Sequence, residues 1–120
     1  MAVDVPQLFV HWEGFIAWLF GKTAGFPARI RHSLTNRIEC RALDIHEAIV
    51  EARFTRDRRT ILARLNLDLD KLRLLLRLAH DLQSLDHRAF AHACAEIDTA
   101  GRMVGGWLRH ERAEDAGNVT

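Results

Sequence analysis

Ile61, Leu65, Leu69, Leu72, Leu76 and Ala79 recur at steps of three and four residues, with no glycine or proline between them. A helix turns about 100° per residue, so these steps draw one apolar line along one side of a rod of about five turns. A strand alternates its faces at every residue and cannot use that spacing. The same steps recur in three other segments. The first carries Leu8, Phe9, Trp12, Phe15, Ile16, Leu19 and Phe20. The second carries Leu34, Ile38, Ala42, Ile45, Ile49 and Ala52. The last carries Phe90, Cys94, Ile97, Gly101, Val104 and Leu108.

The chain therefore reads as four helices. The first covers about residues 7–22, the second follows Ser33, the third covers about 58–83 and the fourth runs from Asp86 to about residue 112. The stretch GKTAGFPARIRHS at 21–33 breaks the first helix with two glycines and Pro27. FTRDRR at 54–59 is a short link. Ser33, Asp57 and either Ser84 or Asp86 are the expected N-caps. Long helices joined by tight links predict an all-α chain, an antiparallel up-and-down four-helix bundle. At 120 residues the chain reads as one domain, residues 1–112, with a frayed polar tail at 113–120.

Two helices carry more apolar surface than a lone bundle buries. On the third, Leu67, Leu74 and Leu78 lie opposite the inner line. On the fourth, Met103, Gly106 and Trp107 point away from it, whereas Gly101 and Gly105 fall on or beside it. A helix that is apolar on two faces is buried on two faces. The expectation is an oligomer whose interface includes Leu67, Leu74, Leu78, Met103, Gly106 and Trp107. Gly101 and Gly105 would bring the fourth helix close to a neighbour inside the bundle.

No catalytic constellation emerges, and an enzyme is not expected. Ser33 and Ser84 lack the strand-turn-helix setting of an activated nucleophile. The seven histidines show no metal spacing, and His87, His92 and Cys94 cannot converge on one ion from a single helix. There is no phosphate loop, so no metal, cofactor or small-molecule substrate is expected. Two cysteines, Cys40 and Cys94, make no disulfide framework. With no signal peptide and no apolar run long enough for a bilayer, a cytoplasmic protein is expected.

Charge says more. The net is +1, but residues 29–64 hold nine arginines against five acids, a local net of 9 − 5 = +4. Arg29 and Arg31 sit in the first link, and Arg53, Arg56, Arg58 and Arg59 around the second. Arg37 and Arg41 could join the two along the second helix. One reading is phosphate contact with nucleic acid. The other is a solvated surface with local ion pairs, Arg37 and Arg41 against Asp44, Glu47 and Glu51. Arg73 and Arg77, one turn apart in LRLLLRLA, either snorkel at the core's edge or meet a partner protein or RNA.

The runs FPARIRHSLTNRIE, EARFTRD, KLRLLLRLAHDL and GRMVGGWL occur in that order across nearly the whole chain. In them the chain resembles a family of small four-helix bundles. It includes the accessory variability determinants (Avd) of diversity-generating retroelements, and proteins encoded in intervening sequences of bacterial large-subunit ribosomal RNA. The resemblance implies a ring-like homopentamer. It also implies an accessory protein that binds a reverse transcriptase and template-repeat RNA or cDNA and supports mutagenic retrohoming. By motif match, Arg73 and Arg77 would contact the reverse transcriptase. Arg29 and Arg31 of FPARIR, with the arginines of ARFTRDRR, would contact nucleic acid. The retroelement proteins tend to be strongly basic, and this chain is nearly neutral. The alternative is therefore the intervening-sequence type, a structural or protein-interaction module without strong RNA binding.

Overall fold

The computed structural model describes residues 5–118. Among them the chain is all-helical, with four long helices and no strand. These are α1 (Val5–Thr23), α2 (Asn36–Phe54), α3 (Arg59–Asp81) and α4 (His87–Asn118). α1 packs on α2 and α4, and α3 packs on α2 and α4. One apolar core fills the space between them. Leu8, Trp12, Leu19, Ile38, Ile45, Ile49, Leu62, Leu65, Leu72, Leu76, Ile97 and Trp107 are its largest enclosed side chains. Each such side chain contributes about 1.5–3 kcal/mol through removal from water.

Polar ties cross the core's edges. The Trp12 indole donates to the carbonyl of Ala42 at 2.9 Å, joining α1 to α2. The Thr23 hydroxyl donates to Glu39, and His46 lies 3.3 Å from Glu13. The His11 ring is 3.1 Å from the carboxylate of Glu96 on α4. Asp68, almost fully buried on α3, accepts from Arg41 of α2 at 3.2 Å.

The inner lines of α1, α2 and α3 are those the spacing predicts. The α1–α2 link differs. A 3₁₀ turn over Ala28–Ile30 passes into a π-helical turn over Arg31–Thr35, which continues into α2. Ser33 sits inside that turn and donates to Ile30 O at 3.3 Å, so it is not the cap. At α3 the N-cap position falls on Arg58, which makes no side-chain cap bond, and Asp57 just before it accepts from both the guanidinium and the backbone amide of Arg59. Asp86 does cap α4, accepting from the amide of Ala89 at 2.8 Å. α4 also runs through the boundary expected at 112 and stays helical to Asn118. Residues 119–120 of the expected tail lie outside the described residues.

The face of α4 is the main correction. Trp107, expected to point outward, is only 2% exposed. Its inner line is Ala89, Ala93, Ile97, Ala100, Val104, Trp107 and Leu108, and Phe90, Cys94 and Gly101 are half-buried at its side. The rotation follows from area: Trp107 offers the largest apolar surface on the helix, and burying it outweighs burying Cys94 or Gly101. The small residues on the inner line are alanines. A Cβ added at Gly101 would meet nothing within 4 Å, and one at Gly105 only the Arg109 guanidinium at 3.5 Å. Neither glycine is needed for close approach within the protomer.

Candidate nucleic-acid and protein interface

The arginines divide by what they already hold. Arg58 lies with its guanidinium carbon 5.4 Å from the Trp107 ring centre and its Nε 3.4 Å from Glu111. It ties the start of α3 to α4. Arg59 grips Asp57 through Nε at 3.1 Å and Nη2 at 3.3 Å, and this contact holds the Asp57 carboxyl below the usual carboxylate range. Arg41 is committed to Asp68 and half-buried. Arg64, on the same face, lies 3.7 Å from Glu51.

Arg29, Arg31, Arg37 and Arg56 are different. All four are exposed and make no ion pair among the described residues. Arg53 stacks 5.6 Å from the ring of Phe54, itself 79% exposed. The free positive charge therefore gathers at the α1–α2 link and the first turn of α2. At the α2–α3 link, much of it is neutralised. The pair Arg73 and Arg77 also splits. Arg73 donates to Asp98 and joins α3 to α4, whereas Arg77 is exposed and unpaired among the described residues.

The outer leucines are where the spacing puts them. Leu67, Leu74 and Leu78 are 52%, 64% and 47% exposed, and Leu82 extends the row. Met103 is half-buried against the core. Gly106 is half-buried, and a Cβ there would meet only Arg109, at 3.7 Å.

Two features that the sequence presents separately share one groove. Ile30, His32, Ser33, Leu34, Asn36, Arg37, Leu75, Leu78 and Leu82 line a hollow of about 460 Å³ between the α1–α2 link and α3. It continues, through Arg37 and Leu75, into one of about 370 Å³ lined also by Arg41, Lys71 and Leu74. No carboxylate lines either. The groove has a leucine floor and a cationic rim, which suits an apolar segment flanked by acids or phosphates. Further along the same helices the lining turns acidic, with Asp44, Glu47, Glu51 and Asp68 around Arg64. Sequence reasoning passed over Lys71, Leu75 and Leu82. Only the relative rotation of α2 and α3 shows that they share a wall with Arg37.

Among the described residues, no group of three or more His, Cys, Asp or Glu could hold a metal ion. Five histidines lie beside a carboxylate instead: His11, His46, His80, His92 and His110. No described helix is long and apolar enough to cross a membrane. Cys40 is free and exposed. Cys94 is free and half-buried, and burial pushes its thiol above the ordinary range.

A family model described as bAvd-like matches residues 7–111. No curated protein and no solved structure matches the chain.

Proposed function

Because this chain belongs to the bAvd-like family, we propose that it is a non-catalytic accessory protein of a diversity-generating retroelement. In this reading it binds the reverse transcriptase and the template-repeat RNA or its cDNA, and supports mutagenic retrohoming. The observation that carries the reading is the family match over residues 7–111. The exposed, unpaired arginines Arg29, Arg31 and Arg37 support it, because they leave cationic groups available for phosphates. Arg56 and the stacked Arg53 extend the same role to the second link. Arg77 remains the candidate contact to the polymerase, and Arg73 acts beside it through its hold on Asp98.

The assembly belongs to the same proposal. Contacts such as Thr23 with Glu39 and His46 with Glu13 suit successive helices running antiparallel. The exposed Leu67, Leu74 and Leu78, with half-buried Met103 and Gly106, suit a closed ring of five copies. A ring repeats each free arginine and raises the local field for RNA.

The test is direct. RNA affinity should fall steeply with salt, and a reverse transcriptase expressed with this protein should co-purify with it. Absence of both at low salt sinks the reading. A second reading is a structural interaction module of the intervening-sequence type. The internal pairing of Arg41, Arg58 and Arg59 favours it, because those guanidinia are already occupied. It expects self-association without RNA affinity.

A further inference from the structure

Outside the arginine surface, α1 and α4 enclose a hollow of about 260 Å³ lined by Trp18, Lys22, Asp86, Arg88, Ala89 and His92. It combines two aromatic rings with two long cations. The rings of Trp18 and His92 are 4.6 Å apart, centre to centre. The Trp18 indole also stacks at 5.8 Å on Phe15, a core residue. The Lys22 ammonium lies 5.8 Å from the Trp18 ring centre. Arg88 is exposed and makes no ion pair among the described residues. The one acid in the hollow's lining, Asp86, is engaged in capping α4 through the amide of Ala89, and His92 also lies 3.6 Å from Glu96, one turn along α4.

The three tryptophans differ in a way that singles this one out. Trp12 and Trp107 are enclosed, at 0% and 2% exposure, whereas Trp18 is half-buried at a concave surface. Trp18 is only partly covered, and what lies over its ring on the open side of the hollow is the end of the long Lys22 side chain, which can swing aside for an incoming planar group. Lys22 stands four residues beyond Trp18, one helical turn toward the link that carries Arg29 and Arg31.

We propose that this hollow seats one nucleotide of a single-stranded nucleic acid, with its base against Trp18 and His92 and its phosphate held by Lys22 and Arg88. Stacking on aromatic side chains together with cations that track the backbone is the general mode for single strands. A duplex cannot use this seat, because its bases present no free face. The strand continues from the hollow to Arg29 and Arg31, which take the neighbouring phosphates. This inference rests on the nucleic-acid reading above and adds the strandedness and a stacking residue.

The experiment uses the full chain and a fluorescein-labelled oligouridylate, with binding read by anisotropy across a salt series. Trp18→Leu is expected to weaken binding about tenfold or more, and Trp18→Phe much less. Lys22→Ala and Arg88→Ala are each expected to make the dependence of log affinity on log salt shallower by about 0.7. A duplex of the same length is expected to compete poorly. In the wild type, saturating oligouridylate is expected to quench the tryptophan emission, and this readout needs no variant to fold. Absence of quenching on a bound protein overturns the seat. So does a folded Trp18→Leu that binds like wild type. If that occurs while Arg29→Ala/Arg31→Ala weakens binding, the wider reading stands and only the seat fails. If oligouridylate does not bind at low salt, both fail. Uridine monophosphate that competes as well as the oligomer would make this a free-nucleotide site and also overturn the proposal.

Discussion

Arg58 covers the Trp107 ring at 5.4 Å and meets Glu111 at 3.4 Å, so this arginine closes one end of the core. Its stem and charge are spent inside the protein. Arg58→Ala is expected to lower stability by about 1–2 kcal/mol, a few degrees in Tm, and to leave RNA affinity nearly unchanged. Arg29→Ala/Arg31→Ala should do the reverse. Its Tm should hold, while the slope of log affinity against log salt becomes shallower by about 1.4 for a single strand. Thermal melts and a salt titration on the same samples check both. An Arg58→Ala variant that keeps its Tm and loses RNA would return Arg58 to the binding surface.

Leu74 and Leu78 make the sharpest test of self-association. They stand 64% and 47% exposed beside a groove with no carboxylate. Leu74→Glu/Leu78→Glu removes two apolar contacts from any interface there and puts carboxylates in their place, at a cost of several kcal/mol per contact region. The expected outcome is a protein of unchanged helicity whose mass by light scattering drops toward the single chain. A full-size assembly in this variant moves the interface to another face.

The four helices were legible because steps of three and four survive in almost any rotation of a helix. The register of α4 was not. Ala89, Ala93 and Ala100 weigh little in an apolar pattern, yet their line carries Trp107 inward. A pattern weighted toward Phe90, Cys94 and Gly101 rotates the helix the wrong way. Local capping was legible at Asp86, where the acceptor lies three residues from its donor. At Asp57 it was off by one residue, because Arg58 takes the N-cap position while Asp57 holds the amide and guanidinium of Arg59. The commitments of Arg41 and Arg58 depend on which helix lies alongside, and no spacing within one helix encodes that. The same holds for Trp18, which lies off the inner line of the first helix and which packing between Phe15 and His92 leaves half-open.

Gln83 holds a φ of 64°, the one left-handed non-glycine residue among those described. It follows the end of α3, where its amide donates to His80 O and the amide of Ser84 donates to Ala79 O, both at 2.9 Å. This double bond pattern closes a helix end and favours glycine at that position. Gln83→Gly is expected to stabilise the protein by about 0.5–1 kcal/mol, since relief of the strained backbone exceeds the added freedom of the unfolded chain. A calorimetric melt that moves down instead would show that the Gln83 side chain holds the α3–α4 link.

The two thiols should separate by reactivity. Burial raises the Cys94 thiol, and Asp98 opposes the lowering effect of Arg73. Less of it is thiolate at neutral pH, and only the thiolate attacks. Iodoacetamide at neutral pH is expected to label exposed Cys40 first, with Cys94 catching up as pH rises above the usual thiol range. Peptide mass spectrometry over a time course reads this. Arg73→Ala removes the lowering charge and should slow Cys94 further, whereas faster labelling would show that opening of α4 controls access.

The glycines of GRMVGGW give the last test, because the protomer does not explain them. At Gly101 a Cβ meets nothing within 4 Å, and the residue lies inside α4. Gly101→Ala should therefore stabilise the helix by about 0.5–1 kcal/mol and leave the assembly's mass unchanged. Gly106 is half-buried beside Met103, on the side assigned above to the subunit boundary. Within one chain a Cβ at Gly106 also has room, with only the Arg109 guanidinium, the end of a flexible side chain, at 3.7 Å. In a ring that passes a neighbour over this spot, the added isobutyl group has none. Gly106→Leu is expected to keep its helicity and lose its assembly, read by circular dichroism and light scattering on one preparation. If Gly106→Leu assembles fully and Gly101→Ala does not, the close approach of copies runs over Gly101, and the boundary shifts around α4 by the angle between the two.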